Sequence, residues 1–211
     1  MIFTDRYDAA SKLIPLLEKY RKERGVVLAV PRGGVPLAYY IARKLNFPLE
    51  LMLTKKIGHP ASEEFAIGAV GLEGEVIEHH EEVPEEYVQN EIKRIRNALR
   101  ERYKKFMGDR KPVDLENKIV IVVDDGIATG NTMLAAIKMM RAKNPKKIVV
   151  AVPVAPPATA KKIKRQVDDF ICLYTPDEFF GVGQFYIDFS EVSDDEVKQF
   201  LRDANDFARA A

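Results

Sequence analysis

The stretch of sequence that decides the fold is VIVVDDGIATGNT, residues 120–132. It opens with β-branched apolar residues, a run typical of a strand that is buried on both faces of a parallel sheet. Two adjacent carboxylates, Asp124 and Asp125, follow the run, and a loop of small residues then leads into a predicted helix. Because open α/β sheets bind ligands at the carboxyl ends of their strands, the sequence predicts a binding site here.

The loop after the acidic pair has the composition of a phosphate site. Helix N-termini and successive backbone N–H groups bind phosphate, and Gly130 lets the backbone approach a ligand closely. Carboxylates are poor phosphate ligands, but they accept hydrogen bonds from the vicinal hydroxyls of a ribose. We therefore expect a ribose 5-phosphate site, because the capping of a turn would explain neither the acidic pair nor the loop. Its candidate residues are Asp124, Asp125, Ala128, Thr129, Gly130, Asn131 and Thr132.

Two further apolar runs, at residues 26–30 and 148–152, are similar to the run at 119–123. Each of the three leads into a turn and a predicted helix. These helices cover residues 35–45, 131–143 and 157–166, and a fourth strand is predicted at 167–173. This alternation predicts an α/β fold with a parallel core, and the length of 211 residues fits one domain spanning 1–211.

The remaining regions depart from that alternation. Residues 5–24 predict a first helix that Pro15 can kink or divide. Residues 55–80 are rich in Gly and polar residues and predict either an antiparallel hairpin or a mobile flap. A long amphipathic helix is predicted at 84–106 and a terminal helix from about Ser193, with an aromatic segment at 176–189 before it.

Residues 120–132 resemble the phosphoribosyl-pyrophosphate signature of the type I phosphoribosyltransferases: an apolar strand, an acidic pair and a Thr-Gly-x-Thr loop. The resemblance implies that family's fold, with a central parallel sheet flanked by helices, a flexible flap at about 55–82 and a small C-terminal hood at about 174–211. Gly126 departs from the pattern, because the family usually has an aliphatic residue there. A P-loop would need a Gly-Lys-Ser/Thr ending and a dinucleotide fold a Gly-x-Gly-x-x-Gly, and the sequence has neither.

The resemblance also implies roles outside the signature. In type I enzymes the loop after the first strand holds pyrophosphate, which implies that role for Arg32 and Gly33. Their flap closes over the pyrophosphate and excludes water, which implies contacts from Lys55, Lys56 and His59. An ordinary Arg-Gly-Gly turn and a solvated basic turn are the alternative interpretations of these two segments.

The aromatic segment resembles the hood of purine-type members, where a ring stacks on the base and a carboxylate reads its exocyclic groups. Phe180 and Asp188 are the candidates for these two contacts. The alternative is that the aromatic residues only pack the hood against the core. The spacing is longer than in purine salvage enzymes, so purine specificity is not carried over.

The activity that the resemblance implies is transfer of a 5-phosphoribosyl group from phosphoribosyl pyrophosphate to a nitrogenous base or related acceptor. Asp124, Asp125, Lys55 and Lys56 are the catalytic candidates, and Mg²⁺ is expected to bind mostly through substrate and water. Two alternatives stay open. One is a non-catalytic regulator that senses phosphoribosyl pyrophosphate or binds RNA on the basic helix residues 93–105, and the other is a hydrolase that uses the same sugar-phosphate site.

The amino-acid composition limits the kinds of partner that the protein is expected to bind. The net charge of +1 supplies no global field that would attract nucleic acid or anionic membranes. We expect a cytoplasmic protein, because neither a signal-peptide pattern nor a membrane-length apolar run occurs, and a homodimer is possible. The single cysteine, Cys172, excludes a disulfide framework and is expected to be buried and inert. The pair His79-His80 is expected in an exposed part of the flap rather than in a metal site.

Overall fold

The fold is built on a five-stranded parallel sheet, and the computed structural model describes residues 1–78, 80 and 82–210. The three apolar runs form neighbouring strands at its centre, in the order β2-β1-β6-β7-β8. The predicted α/β fold with a parallel core is confirmed. Numbered in chain order, the strands of this sheet are β1 (Gly25–Ala29), β2 (Leu49–Leu51), β6 (Ile119–Val123), β7 (Lys147–Val154) and β8 (Asp169–Tyr174).

Helices cover both faces of the sheet, which is why its central strands are apolar at every position. Ile121 and Val149 face one layer of the core, whereas Val120 and Val150 face the other, and all four are fully buried. Successive side chains of a strand point to opposite faces, so a strand covered on both sides shows no polar alternation. The helices are α1 (Arg6–Leu17), α2 (Gly34–Leu45), α3 (Glu85–Met107), α4 (Asn131–Arg141), α5 (Pro157–Lys164) and α6 (Asp194–Ala210).

The first helix is shorter than the sequence predicts. It ends at Leu17 and tightens into a 3₁₀ turn at Glu18–Tyr20, before the predicted end at residue 24. Pro15 lies inside the last turn of α1, where its ring cannot donate a hydrogen bond to the preceding turn. The proline therefore marks the end of the α-helical segment rather than a kink in its middle.

The region expected to be a hairpin or a flap is a three-stranded antiparallel sheet of order β3-β4-β5. Its strands are β3 (Thr54–His59), β4 (Ser62–Gly71) and β5 (Glu75–Ile77). The sheet packs against α3 on one side and α4 on the other. Ile57, Ile67 and Val70 anchor it, because their side chains are almost fully buried in the main core. We call this unit the flap sheet.

The edge strand β2 was missed because a carboxylate interrupts its short apolar pattern. Glu50 is only 3% exposed. Its carboxylate accepts hydrogen bonds from the Tyr103 hydroxyl at 2.8 Å and from the backbone N–H groups of Leu51 at 2.7 Å and Val113 at 3.1 Å. Burial raises the pKa of Glu50. These three donors compensate a buried carboxyl and fasten the end of α3 and the following linker to the sheet.

The N-terminus and the aromatic segment join to form a small cap over one end of the sheet. Phe3 pairs with Tyr186 in a parallel bridge, and the backbone N–H of Phe3 donates to the carbonyl of Phe185 at 2.8 Å. A 3₁₀ turn, Val182–Phe185, precedes this bridge. From here on the hood means residues 176–190, the aromatic part of the segment that was expected to form a hood at about 174–211. No helix among the described residues combines the length and the apolar character that crossing a bilayer requires.

Candidate functional site

The acidic pair lies at the carboxyl end of β6, as predicted. Asp125 is 9% exposed and Asp124 is partly exposed. The backbone N–H of Asp125 donates to Oδ1 of Asp124 at 2.8 Å. Burial, and secondly the neighbouring Asp125, raise the pKa of Asp124 well above that of an ordinary aspartate. Burial also raises the pKa of Asp125, but there the guanidinium of Arg6 opposes it.

Arg6 is the cation that the sequence did not identify. Its Nε and Nη2 atoms donate to Oδ2 of Asp125 at 3.1 and 2.9 Å, and both side chains are 12% exposed. The remaining nitrogen, Nη1, donates to the carbonyl of Ser190 at 2.8 Å, and the guanidinium lies 4.2 Å from the ring centre of Phe189. Arg6 thus positions Asp125 and favours its ionised form, which is the form that can accept hydrogen bonds from two hydroxyl groups.

The loop after β1 packs directly on the acidic pair. A Cβ atom at Gly33 would overlap the carboxylate of Asp125, and one at Gly34 would lie 2.6 Å from the carbonyl oxygen of Val123. Two loops that are distant in the sequence therefore touch only because glycine occupies both positions. The structure brings together the expected pyrophosphate loop and the expected ribose carboxylates.

Arg32 lies in the same loop, in which the Pro31–Arg32 peptide bond is cis. Its guanidinium forms ion pairs with Glu191 and, at 3.5 Å, with Asp194 at the start of α6. The side chain is about one third exposed. A pyrophosphate that uses Arg32 must therefore exchange places with these two carboxylates.

The expected phosphate loop runs from Ala128 into the first turn of α4. Gly130 has a left-handed φ of +76°, and a Cβ there would lie 2.8 Å from a methyl group of Thr159. The Thr159 hydroxyl donates to the carbonyl of Ala128 at 2.7 Å, which ties the loop to α5. Thr129, Asn131 and Thr132 are exposed, so their donors are open to a ligand.

The presence of glycine at position 126 has a structural reason in this chain. A Cβ there would lie 2.5 Å from a methyl group of Val182, so the hood rests directly on the loop at this residue. The buried hydroxyl of Tyr186 donates to the backbone carbonyl of Asp125 at 2.7 Å. The departure from the usual family pattern is thus matched by close packing of the hood on the acidic pair.

The two flap lysines lie on opposite faces of β3. Lys56 lines a cleft that also contains Thr129 and Thr132 of the phosphate loop. Lys55 lies on the α3 side, where the pKa of Glu91 is lowered mainly by the hydrogen bond from Arg94 and in small part by the charge of Lys55. The structure therefore brings Lys56 to the phosphate loop but not Lys55, because successive residues of a strand point in opposite directions.

His59 lies at the tip of the first flap hairpin, opposite Ser62. Its Nδ1 accepts a hydrogen bond from the backbone N–H of Ala61 at 3.1 Å, and its Nε2 lies 3.7 Å from Glu82. The ring packs against those of Phe65 and His80. These contacts hold His59 within the flap sheet and do not bring it to the pyrophosphate loop. His79 and Glu81 lie outside the described residues.

The two base-contact candidates differ in their surroundings. The Phe180 side chain is 90% exposed, which leaves both faces of its ring open for stacking. Asp188 is exposed and accepts a hydrogen bond from the backbone N–H of Ser190 at 2.9 Å. That hydrogen bond and a second one from the Ser190 hydroxyl lower its pKa. Asp188 is therefore ionised and partly occupied in holding its own turn.

The basic helix α3 is largely neutralised by neighbouring carboxylates. Arg96 pairs with Glu75, Lys104 with Asp109 at 3.2 Å, and Lys105 with Asp194 at 2.6 Å. Arg94 pairs with Glu91 at 2.6 Å in the same way. This surface resembles an ordinary solvated helix face and gives no support to an RNA-binding function.

Cys172 is only half-buried, because β8 is the edge strand of the sheet. Its thiol donates to the carbonyl of Tyr174 at 3.2 Å, and burial raises its pKa to about 11. The expected burial is therefore only partial. A thiol with this pKa stays protonated at neutral pH and is a weak nucleophile.

Within the part of the chain that the structure describes, no group of three or more His, Cys, Asp or Glu side chains could cage a metal ion. The acidic pair offers two carboxyls, of which Asp125 is taken up by Arg6. Mg²⁺ commonly keeps several waters and binds one or two carboxylates together with substrate phosphates. The residues present fit that mode of binding and do not fit a site made of protein ligands alone.

Comparison with known proteins agrees with this geometry. The family model of the phosphoribosyl transferase domain matches residues 7–190. Two strains of Mycobacterium tuberculosis have a protein named "putative phosphoribosyl transferase" that is 38% identical to this chain over 215 aligned residues. The alignment covers 99% of this chain but 48% of the relative, so the chain spans about half the length of the curated relatives it matches.

A solved structure is similar over almost its whole length. The crystal structure of the protein TT1426 from Thermus thermophilus superposes with a TM-score of 0.84 at 36% sequence identity. The match covers 96% of this chain and 99% of the other. The two chains therefore share the main sheet and the elements around it.

Proposed function

Because the chain belongs to the phosphoribosyltransferase family and has its type I fold, we propose that it transfers a 5-phosphoribosyl group from phosphoribosyl pyrophosphate to a nitrogen acceptor. The observation that carries the proposal is the close packing of the Gly33 loop on Asp125, next to the phosphate loop of α4. A pyrophosphate loop, two hydroxyl acceptors and a phosphate loop then follow one another along one edge of the sheet. That is the order of the groups in phosphoribosyl pyrophosphate.

In the proposed reaction the bond between C1 of the ribose and the pyrophosphate oxygen breaks, and its electron pair leaves with pyrophosphate. The lone pair of the acceptor nitrogen forms the new bond to C1, and the proton of that nitrogen passes to solvent. Positive charge develops on the ribose as the leaving group departs. An ionised carboxylate next to the ribose would stabilise this charge, and Arg6 favours that form at Asp125, which would give Asp125 a second role beyond binding.

The chain's own cations would act on the leaving group. Arg32 can bind two phosphate oxygens at once after it leaves Glu191 and Asp194. Lys56 faces the phosphate loop from the flap sheet and would add a point charge there. The expected Mg²⁺ would neutralise pyrophosphate charge while bound to substrate oxygens, water and the partly exposed Asp124. Lys55 and His59 are left without a role in this proposal, because both lie away from these groups.

The first test is calorimetric binding of phosphoribosyl pyrophosphate with and without Mg²⁺, followed by assays of pyrophosphate release with a panel of nucleobases. The Asp124→Asn/Asp125→Asn variant should lose binding and turnover. Its matched control is Asp177→Asn/Glu178→Gln, an adjacent acidic pair on the exposed surface of the hood. The control should retain both properties.

Each outcome separates the proposal from its rivals. Pyrophosphate release that depends on one acceptor supports transfer and identifies that acceptor. Release without any acceptor would instead indicate a hydrolase, and tight binding without release would indicate a sensor. Full activity in the double aspartate variant would refute the assignment of the site. The expected homodimer stays a prediction that sedimentation analysis can test separately.

A further inference from the structure

A concave surface adjoins the phosphate loop. It is a cleft of about 740 Å³ between the flap sheet, the outer face of α4 and the end of α5. Ligand pockets commonly have volumes of about 300–1,000 Å³. Asp124, Asp125 and Arg32 do not line it, so it lies beside the proposed ribose and pyrophosphate positions rather than around them.

The charges of this cleft have one dominant sign. Among the described residues that line it, four are cations, Lys56, Lys138, Lys162 and Arg165, and one is a carboxylate, Glu78. Among the residues that the structure describes, Lys138, Lys162 and Arg165 have no ion-pair partner. This differs from α3, where most cations are paired with carboxylates. Like charges that converge on a concave surface with low-dielectric walls raise the local concentration of anions.

The cations are distributed in a way that suits an extended anion. They come from three elements, the flap sheet, α4 and the end of α5, and so surround the cleft instead of clustering on one helix face. Thr129, Asn131 and Thr132 add hydroxyl and amide donors at the end nearest the phosphate loop. A single phosphate would engage only part of this set.

We propose that the cleft binds a chain of two or more phosphates. The chain could belong to a free nucleotide, or to a sugar that is extended beyond its 5-phosphate. The second source rests on the proposed function, because it needs a ribose 5-phosphate bound at residues 128–132. The first source does not, since the cleft's own charges suffice for it.

Binding of inorganic triphosphate, measured by calorimetry at fixed ionic strength, tests the cleft directly. The informative variant is Lys162→Gln/Arg165→Gln, which removes two cleft cations. Its matched control is Lys161→Gln/Lys164→Gln, which removes two exposed cations of α5 that do not line the cleft. Both variants lose the same charge from the same helix region. We expect the first to weaken triphosphate binding about tenfold or more and the second to change it less than about twofold.

Three results would overturn the proposal: no binding of triphosphate to the wild type, equal losses in the two variants, or no loss in the first. The Asp124→Asn/Asp125→Asn variant should keep triphosphate binding, whether or not the wild type binds phosphoribosyl pyrophosphate. Failure of the proposed function is therefore distinguishable from failure of the cleft. Competition with ribose 5-phosphate then identifies the source, since displacement supports an extended sugar phosphate and simultaneous binding supports a separate polyphosphate ligand.

Discussion

Replacement of Arg6 by methionine should destabilise the protein and shift the pH dependence of its ligand binding. Arg6 is the cation that contacts Asp125, and its charge also lowers the pKa of Asp124. Methionine keeps much of the apolar volume of the side chain but removes the charge and the donors. Two adjacent carboxyls then remain in a site with little solvent and without the charge of Arg6.

The expected loss of stability follows from the burial of this ion pair. Removing one partner of a buried pair costs about 3–5 kcal/mol, because it leaves the other charge uncompensated. The side chains of Arg6 and Asp125 are each 12% exposed to solvent. We therefore expect a loss at the lower end of that range, about 3 kcal/mol. For a domain of this size 1 kcal/mol corresponds to about 2–4 °C, so the melting temperature should fall by about 6–12 °C.

The change in the stability deficit of the Arg6→Met variant with pH follows from the pKa values of the two aspartates. Arg6 lowers the pKa of both aspartates, so its removal raises both values further. A carboxyl whose folded-state pKa is raised adds stability at low pH and loses it as the pH rises through that pKa. The deficit of the Arg6→Met variant should therefore be largest at neutral and alkaline pH and shrink on acidification. Protonation of Asp125 should also move the pH profile of phosphoribosyl-pyrophosphate binding to higher pH.

Scanning calorimetry between pH 4 and 8 measures the first effect, and titration calorimetry across pH measures the second. Lys12→Met is the control, because Lys12 lies on the same helix but pairs with Asp8 at the surface. Exposed pairs of this kind contribute about 0.3–0.5 kcal/mol. Equal melting temperatures for the two variants, or a deficit that does not depend on pH, would refute the role given to Arg6. A merely structural arginine would lower stability without moving the pH profile of binding.

Three further predictions concern other parts of the site. Asp124→Asn should abolish binding of phosphoribosyl pyrophosphate. It should also raise the free energy of unfolding at neutral pH by about 0.5–2 kcal/mol, because the raised pKa of Asp124 shows that its ionised form is disfavoured there. A lower free energy of unfolding in denaturant titrations would contradict this. Gly126→Ala should cost about 1–3 kcal/mol through overlap with Val182, and a second change, Val182→Ala, should restore most of it in the same assay. Cys172 should react slowly with thiol reagents at neutral pH until the protein unfolds, since its pKa is about 11; rapid labelling of the native protein would contradict that value.

The parts of the fold that the sequence predicted are those with strong local patterns. The run at 119–123 is apolar at every position because helices cover both faces of its strand, and the structure has that strand at Ile119–Val123. The edge strand β2 has three residues, and Glu50 in its middle breaks the apolar pattern. The burial of Glu50 depends on Tyr103 and Val113, which are more than fifty positions away, so no local pattern could predict this strand.

The same distinction holds within the site. The phosphate loop and the acidic pair are contiguous in sequence, and their residue types alone describe their chemistry. The choice between Lys55 and Lys56 depended on which face of β3 meets α4, a question that only the packing of the flap sheet decides. Arg6 could not have been found from sequence, because its ion pair with Asp125 joins residues 119 positions apart and no motif surrounds it.

Arg6 also connects the acidic pair with the hood, two segments that are far apart in the sequence. It contacts Asp125 through two nitrogens and the hood through Ser190 and Phe189. An acceptor that enters beneath the hood and moves Phe189 would therefore change the surroundings of the same guanidinium that opposes the rise in the pKa of Asp125. Such an acceptor would change the affinity of the protein for phosphoribosyl pyrophosphate by some factor. Because the coupling free energy between two binding events is reciprocal, phosphoribosyl pyrophosphate would change the affinity for the acceptor by that same factor. We therefore expect the position of the hood to influence the pKa of Asp125 through Arg6.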